Sequence, residues 1–318
     1  MDDHTLPQPD SGNSDPISDL EARLAEIEAG LGDPLSFTSK TLIQATFPHS
    51  AKAGKELVLV NGHTTVTMYS RHGLPYGSWP RLIMCWLTRE ALRRQNLPID
   101  EAREIPLNSS LSGFMREVGI GRATGGERGT ITALKKQMRS LFSTSIGIDI
   151  KGDDDLKLLD LDESVIAERT EMWWTPRPHD DIDFEGYIRL SATFYSDLIK
   201  SAVPLDTRIL RSLKKSPMAI DVYSWLTYRV SYLRYPTVIK WDQIQGQLGA
   251  GYPDTSQGMR NFRKKFLIAL NKVIDVWPTD SISIVKNGIL LTPGSPSVPR
   301  RAQDEFQKRF SIGDDPLF

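Results

Sequence analysis

Hydrophobic positions along the 318 residues form two successions of the same kind, each with a long helical stripe, two further helices and a hairpin. In the first, Glu56-Leu-Val-Leu-Val60, an Asn61-Gly62 turn and alternating Thr64–Met68 predict an opening hairpin, because a type I′ turn needs two positive φ values. Ser78 then predicts a helix cap with Pro80 in the first turn. Leu82, Ile83, Trp86, Leu87 and Ala91 share one face as far as about Arg94. A second helix is predicted after Ser109-Ser110, with Leu111, Phe114, Met115 and Val118 apolar. The glycine-rich stretch Gly119–Gly129 separates it from a third, from about Thr130 to Phe142. Ser145–Ile150 and Leu156–Leu159 predict a closing hairpin around Gly152–Asp155.

The second half repeats this plan. Gly186–Phe194 reads as a strand and leads into a long helix carrying Ser224-Trp225-Leu226-Thr227, which matches Cys85-Trp86-Leu87-Thr88. Thr237–Lys240 precedes a helix at Trp241–Leu248, as Glu104–Leu107 precedes the earlier second helix. A turn at Gly249–Pro253 leads to a helix from about Thr255 to Val276, and Ser281–Leu291 closes with a hairpin about Asn287-Gly288. The offset is 139 residues at the tryptophans and 129 between Lys135-Lys136 and Lys264-Lys265, a drift that shorter loops explain. Three helices followed by a hairpin is the order of a winged helix, and its recurrence predicts a duplication.

The expected fold class is therefore α+β: two tandem winged-helix domains with a short N-terminal helix. Residues 1–37 are expected as an acidic tail, 38–166 as the first domain, 167–183 as a linker, 184–295 as the second domain and 296–318 as a C-terminal tail. The linker assignment rests on the acidic and proline residues between Glu168 and Asp181. Ile17, Leu20, Leu24, Ile27 and Leu31 recur in a/d rhythm, which fits either a homodimer contact or a helix docked on the body.

Charge sharpens this picture. The net charge is −1, but residues 1–37 hold nine acids against Arg23, which leaves +7 on the remainder. An acidic tail before a basic body points to a polyanionic partner for the body. No run reaches the roughly 18 apolar residues of a membrane span, and the acidic N-terminus lacks the features of a signal peptide. Cys85 is the sole cysteine and lies in an apolar helical stretch, so a buried inert thiol in a cytoplasmic protein is expected.

The third helix of each half carries the candidate chemistry. If Ile131, Leu134, Met138 and Leu141 face inward, then Arg128, Thr132, Lys135, Lys136 and Arg139 face outward, with Arg122 just upstream. In the second half Phe262, Phe266 and Leu270 mark the buried stripe, and Gln257, Arg260, Asn261, Arg263, Lys264 and Lys265 surround it. Arginine reads guanine, asparagine and glutamine read adenine, and lysine mainly neutralises phosphate. Two such helices at equivalent places predict double-stranded DNA as the partner. Lys286, in the second wing, suits a backbone contact. Asp153-Asp154-Asp155 would repel phosphates, so the first wing is expected to point elsewhere or its turn to serve a protein contact, with these acids a solvated turn rather than a metal site.

Catalysis is not expected. There is no Gly-x-x-x-x-Gly-Lys-Ser/Thr phosphate loop, and Gly125–Gly129 reads as a turn before a helix. The five histidines form no close pair and none is followed by arginine at the third position, which removes the metal pair of nicking initiators and the signature of tyrosine recombinases. No zinc-ligand spacing is present, and neither metal nor cofactor is expected.

Leu74-Pro-Tyr-Gly-Ser-Trp-Pro-Arg-Leu82, Trp86-Leu87-Thr88, Ser110–Gly119 and Leu134-Lys-Lys-Gln-Met-Arg139 together resemble the RepA-type plasmid replication initiators, over most of residues 40–295. The resemblance implies tandem winged helices that bind repeated origin sequences (iterons), help open an AT-rich stretch and recruit the host helicase or its loader. A transcriptional repressor or partition-type DNA-binding protein of the same fold is the competing reading.

Overall fold

The computed structural model describes residues 34–44, 46–61, 64–107, 109–150, 164–176, 182–299, 302–304, 306 and 308. The heptad segment, the Asp153–Asp155 turn and the expected strand Leu156–Leu159 lie outside the described residues. The chain is α+β. The first half runs β1 (Leu35–Ser39), α1 (Lys40–Gln44), β2 (Glu56–Asn61), β3 (Thr64–Ser70), α2 (Ser78–Arg93), α3 (Ile99–Ala102), β4 (Glu104–Pro106), β5 (Ser109–Ser110), α4 (Leu111–Val118), α5 (Thr130–Phe142), β6 (Thr144–Ile150), β7 (Ser164–Val165), β8 (Ala167–Pro176) and β9 (Ile182–Leu190). It continues with α6 (Ala192–Ser201), β10 (Ala202–Asp206), α7 (Thr207–Leu213), α8 (Pro217–Tyr232), β11 (Thr237–Lys240), α9 (Trp241–Leu248), α10 (Ser256–Val276), β12 (Ile282–Val285) and β13 (Gly288–Leu291).

Local chemistry accounts for most boundaries. Ser110 caps α4 by accepting the Gly113 N–H at 3.0 Å, and Thr255 caps α10 by accepting that of Gly258, also at 3.0 Å. Gly119, at φ 82°, ends α4 in the left-handed conformation. Ser78 departs from expectation: it is the first residue of α2, Gly77 stands at the cap, and no side chain caps this end. The Arg81 guanidinium fixes it instead, donating to the Gly77 carbonyl at 2.7 Å. The second hairpin also differs by one position. Val285 pairs with Gly288, so Lys286-Asn287 is the turn and Gly288 opens β13. A Cβ at Gly288 would strike the Ile239 carbonyl, so strand proximity rather than turn geometry requires glycine there.

Among the described residues, the first strand of the expected wing pairs elsewhere. The strand at Thr144–Ile150 pairs along its whole length with β3 of the opening hairpin, giving a sheet of order β2-β3-β6-β7. The hairpin that closes on the helical unit is β8–β9, whose central strand β9 pairs with β4, β5 and β8. Residues 167–176, expected within a linker, are therefore strand. The acids and prolines that read as linker cluster toward the segment between β8 and β9, while β-branched and aromatic residues fill the flanks. Gly186–Phe194, expected as one strand, divides at Ser191, which caps α6 by accepting the Phe194 N–H.

Both halves thus contain the same three-strand arrangement, β4-β9-β8 and β11-β13-β12. In each, an isoleucine pair sits at the centre: Ile105 with Ile188, and Ile239 with Ile289. All four are buried. The halves are joined by more than a tether. β1 pairs antiparallel with β10, and one buried apolar cluster runs through both. Arg81 on α2 forms a two-pronged ion pair with Asp221 on α8, both contacts 2.6 Å, and His49 meets the same carboxylate at 2.8 Å. Burial alone would raise the Asp221 carboxyl. The Arg81 charge and the His49 hydrogen bond outweigh that and hold it below the ordinary carboxylate range.

Candidate nucleic-acid interface

The second third-helix, α10, is 21 residues long and buries Gly258, Phe262, Phe266, Ala269, Leu270 and Val273. A Cβ at Gly258 would strike the Pro253 carbonyl, so the first turn presses directly on the preceding loop. Its opposite face presents Gln257, Arg260, Asn261, Lys264 and Lys265, all exposed. Three of these are interlocked: Gln257 donates to Asn261 at 2.9 Å, and Arg260 donates to Gln257 at 2.7 Å. The network holds long side chains in defined conformers on the helix's first two turns while leaving further donors and acceptors outward. That is the hydrogen-bonding equipment that discriminates base edges.

Arg263 behaves differently from its neighbours. It is half-buried, and its guanidinium lies 4.8 Å from the centre of the Trp241 ring on α9. This cation–π contact ties α10 to α9 and turns the side chain sideways along the unit. Lys286 is exposed in the turn between β12 and β13.

The first third-helix, α5, is built for a different presentation. The loop before it is braced by paired threonines. The Thr130 N–H donates to the Thr124 hydroxyl at 3.0 Å, the Thr124 N–H to the Thr130 hydroxyl at 2.8 Å, and the Thr130 hydroxyl to the Arg122 carbonyl at 2.9 Å. A Cβ at Gly129 would collide with the carbonyls of Thr124 and Gly125, which makes this glycine a packing requirement. Arg122 and Arg128 emerge exposed from the braced loop. Thr132 is exposed, but its hydroxyl donates to the Gly126 carbonyl at 2.9 Å, so its proton serves the loop. Lys135, Lys136 and Arg139 are also exposed. Leu134, Met138 and Leu141 are buried as expected, whereas Ile131 is only half-buried.

Arg139 stands apart from the rest, at the far end of α5, where it lines a cleft of about 700 Å³ with Arg71 and His72. Desolvation, and then the charges of Arg71, Arg139 and Lys55, push the His72 imidazole below its ordinary pKa. Positive potential thus collects from three separate segments. Sequence reasoning passes over Lys55, Arg71 and His72, because only the β2–β3 hairpin folding onto α5 brings them together.

The residues that the structure groups around α4 and α5 fall within a span that matches a protein-family model, described as "Plasmid encoded RepA protein", over residues 74–243. This is more than half of the chain. The protein belongs to the plasmid-encoded RepA family. The match begins just before α2 and ends within α9, so it includes the whole of α5, whereas α10 and the second hairpin lie beyond it. No curated protein matches this RepA-family chain. Among solved structures, the crystal structure of domains 2 and 3 of RctB resembles it with a TM-score of 0.46 at 12% identity, covering 78% of this chain and 93% of that one. Among the described residues no helix is long and apolar enough to cross a membrane, and no group of His, Cys, Asp and Glu side chains could hold a metal ion.

Proposed function

We propose that this RepA-family protein is a plasmid replication initiator, without catalysis of its own, that binds repeated origin DNA through two winged-helix units. One unit comprises α2, α4, α5 and the β4-β9-β8 sheet; the other comprises α8, α9, α10 and the β11-β13-β12 sheet. The observation that carries the reading is the interlocked Gln257, Arg260 and Asn261 network on the exposed first turns of α10. Arg122, Arg128, Lys135 and Lys136 at the equivalent place on the first unit support it. Arginine and the amide side chains supply direct readout, and the lysines supply sequence-independent affinity through counterion release. Opening of an adjacent AT-rich stretch and recruitment of a host helicase or its loader complete the proposed role, with a homodimer as the form that represses its own promoter.

Footprinting on the DNA that flanks the protein's own gene tests this directly. The expected result is protection of direct repeats, each occupied by one monomer, with affinity lost when about five base pairs are inserted between the segments facing α5 and α10. Such an insertion turns one segment to the opposite side of the duplex, roughly half of a 10-base-pair turn. Protection of a lone palindrome by a dimer would instead establish a repressor. Protection without sequence preference would overturn both.

A further inference from the structure

Between the two units lies an open cleft of about 750 Å³, bounded on one side by Trp79 and the Gly119–Gly121 turn and on the other by Lys214 and Lys215. The lysines occupy the tight connection between α7 and α8. Among the described residues, no acidic side chain lines the cleft. The nearby Glu117 is engaged by Arg89, and Arg211 reaches across to the carbonyls of Arg116 and Glu117 at 3.4 and 3.3 Å. That contact fixes the lysine-bearing wall to the end of α4, so the width of the cleft is built into the fold. Neither lysine has an ion-pair partner among the described residues.

The opposite wall combines the side chains of Tyr76, Trp79, Leu82 and Ile120 with main chain at three glycines. Gly77, Gly119 and Gly121 all hold positive φ, and at Gly77 and Gly121 a Cβ would meet nothing within 4 Å. A bulky, extended anion can therefore approach the backbone closely there. The next residue is Arg122, exposed at the start of the braced loop that leads into α5. The loop that leads into α5 thus begins at the edge of the cleft.

We propose that this cleft seats the phosphodiester backbone of the duplex where it passes from α5 to α10, with Lys214 and Lys215 neutralising successive phosphates. The inference rests on the duplex-binding reading above and adds a contact that neither recognition helix makes. Lysine suits this task because a compact, flexible point charge follows a backbone without demanding a base sequence. It also gives the rigid junction between the halves a purpose, since a fixed distance between readers needs a fixed path for the strand between them.

The test is the double substitution Lys214→Gln/Lys215→Gln in the full chain, measured against the complete site, a scrambled duplex and a half-site that faces α10 alone. Affinity for the complete site is expected to fall roughly tenfold at about 50 mM salt, with the salt slope reduced by about 1.8, or 0.9 for each phosphate contact. Half-site binding and melting temperature stay unchanged, and Lys214→Arg/Lys215→Arg restores the slope. Unchanged affinity and slope, in a protein whose wild type binds its site, would overturn the cleft assignment alone. A wild type that shows no sequence preference would instead overturn the reading of the recognition helices. Calorimetric titration with ATP separates a free nucleotide from backbone: saturable binding of ATP that the double substitution abolishes, with duplex binding intact, makes the cleft a small-anion site and also overturns the proposal.

Discussion

The two halves of the molecule share one scheme and differ in how far along the chain they complete it. In the second half the closing hairpin follows α10 almost directly, with β12 starting at Ile282 after the helix ends at Val276. In the first, β6 and β7 intervene, and the equivalent hairpin begins only at Ala167. The intervening strand β6 is diverted to the β2–β3 hairpin, which has no counterpart among the described residues of the second half. The helix-to-hairpin connection is therefore where this scheme accepts added chain. What does not change is the buried core, since a strand register is set by its apolar face wherever the strand lies in sequence.

A second difference lies in the outward faces of α5 and α10. The first carries arginines on a braced loop and lysines along the helix. The second carries an amide and guanidinium network. Under the proposed DNA-binding reading, the first half would supply affinity and the second discrimination.

The largest effect is expected at the junction. Asp221→Ala leaves Arg81 buried without its counter-charge, a loss of about 3–5 kcal/mol. Because a single core runs through both halves, calorimetry should show one transition moved to lower temperature. Two transitions would mean that the halves fold as independent modules. The acid limb follows from the sign of the shift. The folded carboxyl titrates below its unfolded value of about 3.9, so its stabilisation is complete above that value and is lost as pH falls through the lower folded value. Stability measured from about pH 5 downward should decline in wild type, and Asp221→Asn should flatten that part of the decline.

The next effect compares the two tryptophans that first revealed the repeat. Both are buried and both meet a phenylalanine edge-on, Trp86 with Phe114 and Trp225 with Phe266. They differ in one hydrogen bond. The Trp225 indole N–H donates to Gln247 at 2.9 Å, whereas that of Trp86 has no partner among the described residues. Because Arg229 still donates to the Gln247 side-chain carbonyl, Trp225→Phe should cost about 0.5–1.5 kcal/mol more than its lost volume alone explains, and Trp86→Phe should cost only the volume. Equal losses in denaturant melts would remove the distinction.

How much of this was legible follows from where each signal resides. Helix α5 lies where its pattern places it, from Thr130 to Phe142, and α9 and α10 agree within a residue, because helical periodicity and caps are local. The first wing is less legible: Ser145–Ile150 reads as one arm of a local hairpin, but among the described residues it pairs with β3, a partner distant in sequence. The Arg81–Asp221–His49 cluster left no pattern, since its members are separated by 140 and 172 residues. The same holds for the grouping of Lys55, Arg71 and His72 with Arg139. The candidate base-reading residues of α10 are visible in the sequence as types, but their interlocking is not.

A smaller effect separates α5 from α10. Arg260→Ala and Asn261→Ala should each relax base preference by about 1–3 kcal/mol, measured as the affinity ratio between cognate and scrambled duplex. Lys135→Gln/Lys136→Gln should lower affinity for both duplexes alike and flatten the salt dependence by about 0.9 per contact. If the α5 pair alters the ratio and the α10 pair alters only the slope, the roles of the two halves are reversed.

The smallest effect falls on Thr132, whose place on α5 would suit a base contact if its hydroxyl were free. In the structure its proton is donated to the Gly126 carbonyl, inside the loop that positions Arg128. Thr132→Val keeps the shape and removes that bond, so it should cost about 1 kcal/mol of stability. Because the loop is also held by the Thr124 and Thr130 pairs, its course should persist, and the cognate-to-scrambled ratio should stay within about twofold. Thr132→Ser preserves the donor and should match wild type in a thermal melt. A change in base preference in the valine variant, with the serine variant unaffected, would show that this hydroxyl turns outward on binding. In that case α5 also reads sequence, and the division between the two helices would fail at this residue first.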